Sequence, residues 1–196
     1  MARRSRIDAE KTRAGLVDAA AELFETRGYK ATSIADICAE LEITKGALFH
    51  HFESKEHLFR EVWARLQVEM DTAARDAAIA ARDPNDPYAA FLAGCRTYLD
   101  FASRRGFQQV VLIDGPSVLS VTSWYKRDHE LGIQNVLAGV EYLARQGCLA
   151  PNNTVSTAVL LQSALNGAGF ALARQADGVT VESVYEAFES LVRSLR

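Results

Sequence analysis

The chain has 196 residues, enough for one or two compact domains. With 48% hydrophobic and 24% charged residues it lies in the ordinary globular range, which excludes wholesale disorder. The net charge of −3 gives no sign of a nucleic-acid binder, although residues 1–13 hold five bases (Arg3, Arg4, Arg6, Lys11, Arg13) against two acids (Asp8, Glu10). Alone, that arm reads as a solvated terminus; beside a DNA-reading unit it would attract phosphate. No apolar run approaches the roughly 18 residues of a membrane span, and no apolar stretch with a cleavage site follows Met1–Arg6. The expectation is therefore no membrane and a cytoplasmic address. Cys38, Cys95 and Cys148 are too few and too scattered for a disulfide framework or zinc knuckle, and read as small buried hydrophobes. Only 12 Gly and 4 Pro favour long helices.

The first predicted helix runs from about Ile7 to Arg27, with Leu16, Ala20, Leu23 and Phe24 on one stripe and Gly28 as its C-terminal cap. Thr32 or Ser33 caps a short second helix, Asp36 completing a capping box, with Ile34, Ile37, Cys38 and Leu41 at helical spacing. The stripe breaks at Glu42-Ile43. Thr44 caps a third helix through His51, and Ser54 a longer one reaching about Ala81. Two prolines in Arg82–Pro87 make a linker. Tyr88–Arg105 resumes helical spacing up to Gly106. Val110–Ile113 is β-branched, but a lone strand would have no ladder partner, so it is assigned to helix. Asp114–Ser117 reads as a turn, and helices follow at Val118–Gln146, Thr154–Gln175 and Thr180–Leu195. The fold class is all-α: a three-helix helix-turn-helix domain over 1–53, then a longer helical domain over 54–196.

Residues 32–52 carry the chemistry. Two short helices joined by about three residues and packed on a longer one form a helix-turn-helix, whose second helix can enter the major groove N-terminus first. Thr44 brings a hydroxyl and Lys45 a charge; Gly46 and Ala47 let the backbone approach base edges, and Ala47 can touch a thymine methyl. Lys55 can anchor the flanking phosphate backbone. The same pattern also suits a helical hairpin in an ordinary bundle.

The run Ala31-Thr32-Ser33-Ile34-Ala35-Asp36-Ile37, then Thr44-Lys45-Gly46-Ala47-Leu48-Phe49-His50-His51-Phe52, then Ser54-Lys55-Glu56 and Leu58-Phe59, resembles the N-terminal domain of TetR-family transcriptional regulators over about residues 10–60. The resemblance implies phosphate contacts at Thr32 and Ser33, groove reading by Thr44, Lys45, Gly46 and Ala47, and backbone contacts at His51 and Lys55. Phe49 stands where the family often has Tyr, so a phenolic donor is missing. Glu42 replaces a common Gly; in a left-handed turn that costs roughly 1 kcal/mol. His50, His51 and His57 invite a metal site, but adjacent histidines on a helix point about 100° apart. They read as capping and phosphate-facing residues, and neither a metal nor a cofactor is expected.

Farther along, Trp63, Met70, Phe91, Tyr98, Phe101, Phe107, Trp124 and Tyr125 gather in the middle of the chain, each compatible with plain core. Together with the amides Gln108, Gln109, Gln162 and Asn166 on apolar helices they could line a pocket, to which the resemblance also points. The expected contacts to an apolar, aromatic or acyl-bearing effector are Trp63, Phe91, Tyr98, Trp124 and Tyr125, with Gln162 or Asn166 orienting it. The last two helices are apolar on more than one face, and the small residues Ala164, Gly167, Ala168 and Gly169 permit close approach. The resemblance implies a four-helix homodimer interface there, which would place two reading helices on one side of operator DNA. The function read from the sequence is a regulator, expected to be a repressor released from double-stranded DNA by a small molecule. The alternatives are a helical protein-interaction module, or a small enzyme with a structural helix-turn-helix, for which no catalytic constellation is present.

Overall fold

Residues 2–119, 121–150 and 152–195 are described by a computed structural model, with backbone alone for 2–8 and 121–131. The side chains of Trp124 and Tyr125 lie outside the described residues.

Helix α1 spans Ala2–Ala31 and breaks at Gly28, whose φ of 79° and ψ of 165° suit only glycine. Its stripe of Leu16, Ala20, Leu23 and Phe24 is buried, as the spacing predicts. Helix α2 is Ile34–Glu40, held by the expected capping box: Ser33 Oγ accepts from Asp36 N at 3.2 Å, and Ser33 N donates to Asp36 Oδ2 at 2.7 Å. Helix α3 is Lys45–His51, its cap Thr44 accepting from Ala47 N at 3.2 Å. Between them Glu42 adopts φ 51°, the left-handed turn conformation anticipated from its position. Helix α4, Lys55–Ala80, is capped by Ser54.

Past the linker come α5 (Ala89–Ser103), the single turn α6 (Arg105–Phe107), a π-helical segment (Gln108–Asp114) and α7 (Gly115–Val118). The β-branched run is thus helical. The turn expected at Asp114–Ser117 is not: Pro116 occupies the first turn of α7, where a missing N–H is harmless. Helices α8 (Val121–Arg145), α9 (Thr154–Ala173) and α10 (Val181–Ser194) complete the chain. There is no strand among the described residues.

Rings of Phe24, Tyr29 and Phe59 meet at 5.1–5.7 Å and lock α1 onto α4. Helix α4 continues against α5 and touches α8, while α9 packs on α5 and α8. One cluster of buried side chains runs from Leu16 and Phe24 through Leu99 to Val192. Helix α9 corrects one expectation. It holds no Asp, Glu, Lys or Arg and meets the length and composition of a membrane span, which the polar residues interrupting its apolar runs conceal.

Candidate nucleic-acid interface and ligand cavity

Helix α3 presents a nearly bare outer face. Thr44, Lys45, Gly46, Phe49 and His50 are exposed, while Leu48 beneath them is fully buried and pins the helix to the core. A Cβ at Gly46 would meet only Thr44 Oγ1, at 3.8 Å, so the fold leaves open space there. Phe49 is 49% exposed. The His50 and His51 rings lie 5.2 Å apart, and His57 packs on Phe52 with Nδ1 accepting from Glu53 N.

Two residues expected to contact phosphate have partners inside the protein. Thr32 is 1% exposed, and its hydroxyl donates to Gly28 O at 2.9 Å. Lys55 Nζ donates to Tyr29 O and Thr32 O, both at 2.9 Å, and sits 4.0 Å from the Tyr29 ring centroid. That ammonium caps the carbonyls where α1 ends. Sequence reading identified the charge but not its direction.

A cavity of about 840 Å³ lies among α4, α5, α8 and α9. Its apolar walls come from Met70, Ile79, Phe91, Val136, Tyr142 and Leu165. Polar groups are few. Gln162 Nε2 and Tyr98 Oη both donate to Asn166 Oδ1, at 3.0 and 3.3 Å. At the linker side, Asp71 pairs with Arg75 at 2.7 Å and accepts from Asn135 Nδ2. Asp86 binds Arg193 of α10 at 2.9 Å, and this hydrogen bond holds its carboxyl below the usual range. Burial pushes the Cys95 thiol of the wall well above its usual range, so it stays protonated. No cluster of three or more potential metal ligands occurs among the described residues.

Residues 16–62 match the family described as bacterial regulatory proteins, tetR family, and residues 88–195 match the tetracyclin repressor-like C-terminal domain. The second match alone covers more than half of the chain. The chain belongs to the TetR family.

A TetR-family transcriptional regulator of Pectobacterium atrosepticum superposes with a TM-score of 0.81 at 32% identity, covering 97% of this chain and 96% of that one. The regulator AcrR of Shigella flexneri is 38% identical over 63 residues, 32% of this chain and 29% of its own length. The repressor KstR2 of Mycolicibacterium smegmatis is 41% identical over 66 residues, 30% of this chain and 32% of its own. The chain thus spans under a third of the length of these curated relatives. TetR-family proteins are DNA-binding transcriptional regulators and not enzymes, which disposes of the enzyme alternative.

Within this TetR-family fold, Phe91, Tyr98 and Gln162 line the cavity. Asn166 is not among the lining residues and positions Gln162 and Tyr98. Trp63 does not line it: the ring is 1% exposed in the core, and Nε1 has no hydrogen-bond partner among the described residues. Gln108 and Gln109 lie elsewhere, Gln109 Nε2 donating to Asp114 at 3.0 Å. The α4 wall of Gln67, Asp71, Ala74, Arg75 and Ala78 escaped the sequence reading, although Gln67, one turn after Trp63 on the buried face, was a usable signal.

On the last two helices Leu165, Leu172, Phe188 and Val192 are buried within the chain itself. Val155 (60%), Leu160 (70%) and Leu191 (44%) are the large apolar side chains left outside. Ser156, Leu160, Ser163, Ala164 and Gly167 follow one another along the exposed face of α9.

Proposed function

We propose that this chain is an effector-released repressor, which as a homodimer grips a two-fold operator through α3. Thr44, Lys45, Gly46 and Ala47 form the groove-reading end; Ser33, Phe49, His50 and His51 contact the flanking backbone. The exposed faces of α9 and α10, centred on Leu160 and Leu191, meet those of a second copy. The address this implies is the cytoplasm.

The observation that carries this reading is the course of α4. At Lys55 it is bonded to the helix-turn-helix, and from Gln67 to Ile79 it walls the cavity. At 1.5 Å per residue those two regions are about 18 Å apart on one rigid rod. A small apolar molecule filling the cavity reaches α3 through this helix, provided it binds the released conformation more tightly than the DNA-bound one.

The test recovers genomic fragments with the full chain, sequences them, and titrates the site found. Wild type is expected to show strongly salt-dependent, site-specific affinity. Gly46→Trp is expected to lose that specificity with an unchanged melting temperature, since the position faces open space. Retained operator affinity in the variant would remove α3 as the reader.

A further inference from the structure

Two side chains that shape the cavity each lie against a glycine of the facing helix. A Cβ at Gly139 of α8 would sit 2.9 Å from Cε2 of Phe91 on α5, and closer still to Cδ2. At Gly132 of α8 a Cβ would lie 3.0–3.1 Å from Nε2, Cδ and Oε1 of Gln162 on α9. Glycines elsewhere vary: around Gly15 and Gly167 nothing lies within 4 Å, whereas Gly106 faces the Glu25 side chain and a Cβ at Gly169 of α9 would lie 2.7 Å from the Tyr98 hydroxyl. Both tight pairs border the cavity.

Packing of this kind leaves little choice of where a displaced group can go. Phe91 is 8% exposed, with α8 on one side and the cavity volume on another. Added atoms at position 139 would meet a stiff aromatic ring rather than the loose end of a long chain. The ring can relieve that contact by swinging away from α8, into the free volume it borders.

We infer that Gly139, with Gly132 beside it, sets the capacity of the cavity: the two glycines seat Phe91 and Gln162 back against α8 and so determine the largest ligand admitted. Gly139 is a specificity-determining position although it offers the ligand no side chain. This rests on the reading of the cavity as the effector site.

The test uses the full chain and two apolar probes of different size, N-phenyl-1-naphthylamine read by its fluorescence and phenol read by ligand-observed NMR. Wild type is expected to bind both. Gly139→Ala should weaken the naphthylamine by roughly tenfold or more, the scale of one misplaced group in an apolar pocket, and leave phenol unchanged. Gly139→Ala/Phe91→Ala should restore naphthylamine binding to about the wild-type level, because the ring is gone. If wild type binds neither probe, the cavity is not a ligand site and the underlying reading falls. If wild type binds and Gly139→Ala binds the larger probe equally well, or loses phenol too, the capacity role is overturned. Should Gly139→Ala fail to fold, the double variant decides: folding and binding restored by removing the ring supports the inference, and a double variant that still fails to fold overturns it.

Discussion

The backbone N–H of Tyr29 donates to Asp114 Oδ2 at 2.7 Å, joining two points 85 positions apart in the chain. Gln109 Nε2 donates to the same oxygen at 3.0 Å. The bond exists because Gly28 breaks α1 one residue earlier, which frees the Tyr29 amide from any helical acceptor and turns it toward the π-helical segment. The helix-turn-helix is thus tied to the rest of the chain by α4 and by a second, charged contact at the end of α1.

Replacing Asp114 by Ala removes a charge-assisted acceptor from a part-buried amide. A loss of about 1.5–3 kcal/mol is expected. Urea unfolding measures it directly; an unchanged midpoint would mean that water satisfies Tyr29 equally well.

Lys55 has two acceptors inside its own chain, which sets what its removal should do. Lys55→Ala is expected to lower stability by about 1.5–3 kcal/mol, since two carbonyls lose a charged donor. The salt dependence of DNA affinity, measured on the folded variant at low temperature, should keep its slope. A slope shallower by about one unit would place the ammonium on phosphate instead.

Assembly is tested at Leu160 rather than at Leu165 or Phe188, both of which are core residues of their own chain. Leu160→Arg is expected to give a folded monomer with a near-native melting temperature, because the side chain is 70% exposed here and meets a second copy only in the dimer. Light scattering decides: a dimer that persists in the variant at micromolar concentration would exclude the α9 face.

Glu25 supplies a pH dependence. Burial pushes its carboxyl above the usual value of 4.5; Arg65 opposes the shift, and Glu69 and Glu22 add to it. A raised carboxyl favours folding when protonated, so its contribution is greatest below the unfolded value and is lost as pH rises through the folded one. Glu25→Gln is expected to melt higher than wild type at pH 7, with the gap closing as pH falls below about 4.5. An equal gap at both pH values would show that charge is not the cause.

The helix-turn-helix was legible because its determinants are local. Ser33 with Asp36, Thr44 with Ala47, and Gly28 each act within a few residues, and sequence spacing records such bonds directly. The roles of Thr32 and Lys55 were not legible, since residue type does not reveal whether a hydroxyl or ammonium turns outward or back to a carbonyl. The cavity was half legible. Aromatic and amide residues marked Phe91, Tyr98 and Gln162, but Trp63 has the same composition signal and lies in solid core. What separates them is the convergence of four helices, which no short window of sequence contains.

The left-handed Glu42 carries two costs at one position. Its turn holds a conformation that a side chain disfavours by roughly 1 kcal/mol, and on the proposed binding face its carboxylate would repel phosphate. A single nucleotide change converts a glutamate codon to a glycine codon, and both penalties would vanish together. On the proposed reading, Glu42→Gly is expected both to raise the melting temperature and to tighten operator binding.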